Sequence, residues 1–259
     1  MTAVFLSGGS SLCDRPRSMA PMTGWGQAMP LFLQGVDLIN CARAGASSKS
    51  FMERGRLAWV LDHLRPGDLH LISFGPNDAK PGAGLHTEPF YDYQGNLRRY
   101  VNETRLRGAH PVLVSSHERS VFDKFGNFRR PLGLYPAAKR ELAGQMSVPL
   151  IDLNEWSVAW WRQLGPQDCR QVFLYLEPGE HPNYPDGVGD NSHLRPYGAV
   201  EVARYVVGEM RSRGLLPGQY FRNLENQFDA NQAVEFLDDA VSERITKERV
   251  GRSMAGAAK

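Results

Sequence analysis

The sequence predicts an α/β protein, a three-layer α/β/α sandwich built around a five-stranded parallel sheet. Short apolar runs recur along the chain, stretches with helical spacing lie between them, and turn residues stand ahead of some runs. Strand and helix in alternation are the signature of a parallel sheet covered on both faces.

The runs at 3–6, 36–39, 69–74, 111–114 and 148–153 are rich in Val, Ile, Leu and Phe and read as buried strands. Pro66-Gly67-Asp68 precedes the third and Gly108-Ala109-His110 the fourth. Helices are predicted over about 24–33, 48–64, 93–107, 134–145, 154–164 and 196–213. The last carries Tyr197, Val200, Ala203, Val207 and Met210 on one side. Pro196 suits its first turn, where a missing N–H costs nothing, and Gly214 suits its end.

A main domain is expected over 1–221 and a C-terminal helical extension over 222–259. Residues 226–252 are charged, with Val234, Phe236, Leu237, Val241 and Ile245 roughly on one stripe. That stripe fits a helix packed back on the domain or a homodimer contact. Residues 253–259 are mostly small and are expected to fray.

A chain of 259 residues can bury a substantial core. Its net charge is only +2 and its basic residues are scattered, whereas a nucleic-acid partner calls for a clustered basic stripe. No membrane-spanning run and no basic leader ahead of the first strand stand in the sequence, so no membrane partner and a cytoplasmic location are expected. Cys13, Cys41 and Cys169 are far apart and odd in number, which fits reduced, buried thiols. The seven histidines and three cysteines form no zinc-like pairs, so no metal is expected.

Ligands of such sheets sit at the carboxyl ends of the strands. The loop after the first strand, Ser7-Gly8-Gly9-Ser10-Ser11, can expose the Ser10 hydroxyl, although Gly-Ser clusters are also ordinary turns. In the loop after the second, Gly45 allows close backbone approach to a ligand, or simply turns the chain. In Gly75-Pro76-Asn77-Asp78, Asn77 can aim its amide at an oxyanion or cap the turn. Near the C-terminus, Asp190-Asn191-Ser192-His193 reads as a loop. Its carboxylate can fold back onto the imidazole Nδ1–H, leaving Nε2 to take a serine proton; the alternative is a surface Asp beside a solvated His. Each motif is weak alone, but their order along the chain asks for a single acyl-transfer site.

These residues resemble the SGNH hydrolases, a flavodoxin-like fold, and within them the rhamnogalacturonan acetylesterase-like group (carbohydrate esterase family twelve). The four SGNH blocks map onto Ser10, Gly45, Asn77 and the Asp190–His193 pair. The likeness runs from about Val4 to Tyr220. It is most specific in Leu176-Glu177-Pro178-Gly179-Glu180 and Pro182-Asn183-Tyr184-Pro185, which lead into Asp190-Asn191-Ser192-His193. The resemblance implies ester hydrolysis through an acyl-enzyme on Ser10. His193 would be the general base, Asp190 its orienting partner, and Ser10, Gly45 and Asn77 the oxyanion donors, with no cofactor.

Three positions depart from that family's pattern. Gly9 stands where Asp is usual, so the loop is expected to lose a hydrogen-bonding side chain and gain flexibility. Ala46 stands where Arg is frequent, removing a cation from the cleft and weakening an acidic pectic substrate. Pro76 replaces a frequent His. The expected substrate is a small acyl ester, acetyl first, on an oligosaccharide of the pectic rhamnogalacturonan kind. The alternatives are another small acyl ester, or a carbohydrate-binding protein impaired in catalysis by Gly9. Trp25, His117, Arg119 and Tyr184 are the candidate substrate contacts; Trp25 is equally a core residue, and His117 and Arg119 are equally solvated loop residues.

Overall fold

In the computed structural model, which describes residues 2–82 and 84–251, the five apolar runs form one parallel sheet. Its strands are β1 (Ala3–Gly8), β2 (Asp37–Asn40), β3 (Leu69–Ser73), β4 (His110–Val114) and β5 (Leu150–Ile151). They lie in the order β2-β1-β3-β4-β5. The order reverses at β1 and β3, so the loops leaving these neighbours diverge and open a crevice at their carboxyl ends.

Period-two alternation sends successive side chains to opposite faces of the sheet. Val4, Leu6, Leu71, Val112 and Val114 enter one apolar cluster, and Phe5, Ile72 and Leu113 enter the other. The first is covered by α1 (Trp25–Ala28), α6 (Leu153–Asp168) and α7 (Pro196–Ser212). The second is covered by α2 (Ser48–Glu53), α3 (Arg56–His63), α4 (Gln94–Leu106) and α5 (Tyr135–Met146). His70, wholly buried in β3, has both ring nitrogens bonded, to Thr104 Oγ1 at 2.7 Å and Ser7 Oγ at 2.8 Å. Burial pushes its pKa down to about 3, so it packs as a neutral ring.

The structure breaks two expected helices and extends a third, where local chemistry requires it. Residues 24–33 keep one α-turn, followed by a 3₁₀ turn at Met29–Leu31 that contains Pro30. The predicted helix 48–64 divides at Gly55, whose φ of 72° lies in the left-handed region. The helix predicted over 154–164 runs on through a kink at Gly165 and Pro166. Ser47 starts α2 with a capping box, accepting from the Ser50 N–H while its own N–H donates to Ser50 Oγ.

A second, two-stranded antiparallel sheet has no counterpart among the predicted elements. It pairs β6 (Phe173–Leu176) with β7 (Val188–Leu194). The C-terminal stretch predicted as helical forms α8 (Ala230–Ala233) and α9 (Asp239–Glu248) around an extended link. It packs back on the chain: Arg17 N–H donates to Leu237 C=O at 2.8 Å, Arg56 Nη2 to Thr246 C=O at 2.9 Å, and Val234 is buried in the first apolar cluster. The tail 253–259 lies outside the described residues.

Trp161 of α6 is fully buried, edge-on to Phe173 of β6, and its Nε1–H donates to Glu118 C=O at 3.0 Å. It joins the helix layer, the hairpin and the loop after β4. Trp161→Ala is expected to lower stability by about 3–5 kcal/mol in urea unfolding; a loss under about 1 kcal/mol would mean that the three parts are held together elsewhere.

Candidate active site

Ser10 stands two residues after β1, in a turn where Leu12 N–H donates to Gly9 C=O at 3.2 Å. Its own carbonyl accepts from Arg15 Nη2 at 2.7 Å, which fixes the turn from the far side. The Ser10 hydroxyl meets His193 Nε2 at 3.0 Å, across 183 residues of sequence.

The Asp190–His193 pair lies on β7 and not in a loop. Opposite it, Phe173 pairs with Leu194 while the next residue, Leu174, pairs with Asp190, so Asn191, Ser192 and His193 bulge out of the ladder. Asp190 Oδ1 holds the bulge by accepting from the N–H groups of Ser192 at 2.8 Å and His193 at 3.0 Å. Its Oδ2 takes His193 Nδ1 at 2.6 Å. Burial raises the Asp190 pKa, but the hydrogen bond and charge of His193 and the two backbone N–H groups outweigh it and hold the carboxyl at about 2. An ionised carboxylate only accepts, so Nδ1 carries the ring proton and Nε2 presents its lone pair to Ser10.

On the opposite wall Asn77 is buried, and its Nδ2 donates to Ala46 C=O at 3.0 Å, leaving the second amide hydrogen for the cleft. Gly45 is exposed and is not among the residues that line the cleft, although its neighbour Ala46 is; its φ of 77° is a conformation that favours glycine. Among the described residues, neither the Ser10 nor the Gly45 N–H has a protein acceptor. A side chain at Gly9 would place its Cβ 3.2 Å from Ala46 C=O and 3.3 Å from Asn77 Nδ2. Glycine there lets the serine turn close onto the Asn77–Ala46 pair.

The turn that carries Asn77 is held by residues the motifs did not reveal. Phe74 C=O accepts from Tyr93 OH at 2.7 Å, Ser116 Oγ at 3.1 Å and Lys139 Nζ at 3.0 Å. Asp78 accepts from the Ser48 N–H at 3.0 Å, Ser48 Oγ at 2.5 Å and Thr87 Oγ1 at 3.1 Å, tying the third loop to the second. Burial pushes Asp78 up to about 6 and Lys139 down to about 7. The one sequence signal was Asp78 directly after Asn77; nothing marked Lys139.

Ser10, Asn77, Asp190 and His193 line one cleft of about 190 Å³, together with His117 and Arg119. His117 is buried, its Nδ1 donates to Glu118 C=O at 3.1 Å, and its Nε2 has no partner among the described residues. Burial pushes its pKa down to about 4, so it is neutral at physiological pH. Trp25 is removed from the substrate-binding set: it is wholly buried in the core under α7 and presents no face to a ligand. Tyr184 is half-buried, donates its hydroxyl to Met19 C=O at 3.1 Å, and is not part of the cleft wall. Among the described residues, no group of His, Cys, Asp and Glu side chains is placed to hold a metal ion, and no helix is long and apolar enough to cross a membrane.

The depressed Asp190 carboxyl has a consequence for stability. Its ordinary value is 3.8 and its folded value about 2, so its contribution is present above the higher figure and lost as the pH falls through the lower. The stability gap between wild type and Asp190→Asn, measured by urea unfolding, is therefore expected to close as the pH drops from about 4 toward about 2. A gap that stays constant over that window would contradict the bonding described.

No protein-family model matches the chain. Rhamnogalacturonan acetylesterase RhgT of Bacillus subtilis is 43% identical over 213 residues, spanning 82% of this chain and 90% of that protein. The probable rhamnogalacturonan acetylesterase YesY of the same organism is 34% identical over 194 residues, spanning 74% and 85%. Among solved structures, the B. subtilis protein YxiM superposes with a TM-score of 0.70 at 25% identity, covering 82% of this chain and 57% of that one. An acetylxylan esterase from Geobacillus stearothermophilus shares the fold with a TM-score of 0.57 at 17% identity, covering 81% and 94%. With this fold and these relatives, the chain is a carboxylic ester hydrolase and belongs to the rhamnogalacturonan acetylesterase-like family of SGNH hydrolases.

Proposed function

We propose that the chain is a serine esterase that removes acetyl groups from a carbohydrate, with rhamnogalacturonan oligosaccharides as the substrate. The observation that carries this reading is the continuous chain from Asp190 through His193 to Ser10, at 2.6 and 3.0 Å, in one cleft with the Asn77 amide. The names of the 43% and 34% identical relatives support the acetyl group and the sugar.

In this reading Ser10 Oγ attacks the ester carbonyl carbon while its proton passes to His193 Nε2. The carbonyl π electrons move onto the oxygen, which the Ser10 and Gly45 N–H groups and the Asn77 amide receive. Collapse expels the sugar oxygen, which takes the proton from His193 and leaves acetyl on Ser10. Water, deprotonated by the same nitrogen, attacks the acyl carbon, releases acetate and restores the serine. Asp190 offsets the imidazolium charge at each stage, and the neutral His117 adds no second positive ring beside it.

The packing of Gly9 against Ala46 and Asn77 argues against an impaired binding protein. The three free, buried cysteines support the proposed cytoplasmic location.

Ser10→Ala is expected to abolish acetate release from acetylated rhamnogalacturonan oligosaccharides and to leave thermal unfolding unchanged. Near-normal release would remove Ser10 as nucleophile. Asn77→Ala should lower kcat by about 10²–10³, and Asp190→Asn by about 10⁴ through the wrong His193 tautomer. Wild-type turnover in either variant would show that another group supplies that role.

A further inference from the structure

The cleft wall carries an unbalanced charge. Arg119 and Lys80 both line it, and among the described residues neither has an acidic partner within ion-pair distance. Among the described residues Asp190 is the only carboxylate on that wall, and it is committed to His193 and to two backbone N–H groups. In a chain of net charge +2, this gives the substrate cleft a local positive potential.

Arg119 is held firmly at its base. The adjacent Glu118 carboxylate accepts the backbone N–H groups of Arg119 at 3.0 Å and Leu132 at 3.2 Å. On the other side, Ser120 N–H donates to Asn191 C=O at 2.9 Å, within the catalytic bulge. The guanidinium Nε is buried and has no partner. A buried, charged donor left unbonded is costly, and a ligand oxygen would relieve that cost. Lys80 stands three residues after Asn77, exposed at the same cleft. Together they offer a planar fork and a point charge, the donor set that suits a carboxylate.

We propose that Arg119 and Lys80 form a carboxylate subsite that selects acetylated sugars carrying a free uronate. This rests on the reading of the chain as a carbohydrate acetylesterase and adds how the sugar is recognised. Ala46 stands where the family often has an arginine, and here the cations enter from the loops after β3 and β4.

The test compares kcat/KM for acetate release from acetylated rhamnogalacturonan oligosaccharides with their uronates free and with the same uronates methyl-esterified. Wild type is expected to prefer the free acid about tenfold or more, in line with two charge-assisted contacts, and to lose most of that preference at about 0.5 M salt. Arg119→Gln should bring the ratio close to one, and Lys80→Gln, an exposed change that leaves the fold alone, should reduce it severalfold. Equal rates on the two substrates in wild type, or an unchanged ratio in both variants, would overturn the subsite while leaving the acetylesterase reading in place. Acetate release from neither substrate by folded wild type would overturn both.

Discussion

Strand β7 has to satisfy two demands that an unbroken ladder cannot meet together: it must pair with β6, and it must bring a carboxylate and an imidazole three residues apart onto one hydroxyl. In a regular strand those residues point to opposite faces. The bulge resolves this. Asp190 takes the two N–H groups that the ladder releases and, through its other oxygen, the ring of His193. The same carboxylate therefore shapes the backbone and fixes the tautomer of the ring.

The sheet supplies the other half of the arrangement. Because strand order reverses at β1 and β3, Ser10 and Asn77 leave adjacent strands on either side of the crevice. Their separation is then set by short contacts rather than by loop stiffness. Gly9 admits the Asn77–Ala46 pair, Asp78 clamps the third loop to Ser48, and Lys139 joins the carbonyls of Phe74 and Val114 beneath it. Lys139 and Asp78 are both removed from water, so each relies on the groups bonded to it.

The sheet was legible in the sequence because strands buried on both faces are continuous apolar runs, as in Val4, Phe5 and Leu6. The positions of Ser10 and Asn77 on one cleft were legible because a parallel sheet opens its crevice after its strands, whereas Gly45 lies outside the cleft lining. The β6–β7 hairpin was not. Val-Gly-Asp-Asn-Ser-His-Leu has neither alternation nor strand propensity, and it extends only because β6 lies beside it. Residue type misled at Trp25, where an aromatic suited to a sugar proved to be core. The Phe74, Asp78 and Lys139 contacts join residues 65, 30 and 25 positions apart, and no local pattern signals such pairs. Arg119 was a candidate contact in the sequence, but nothing marked Lys80 until the fold placed both on one wall.

The most direct test of the catalytic arrangement is reaction of the folded protein with a fluorophosphonate, followed by intact mass and peptide mapping. A serine activated by His193 predicts a single adduct, located on Ser10, that forms far more slowly in His193→Ala. An adduct on another residue, or none on folded protein, would contradict a nucleophile at the end of β1.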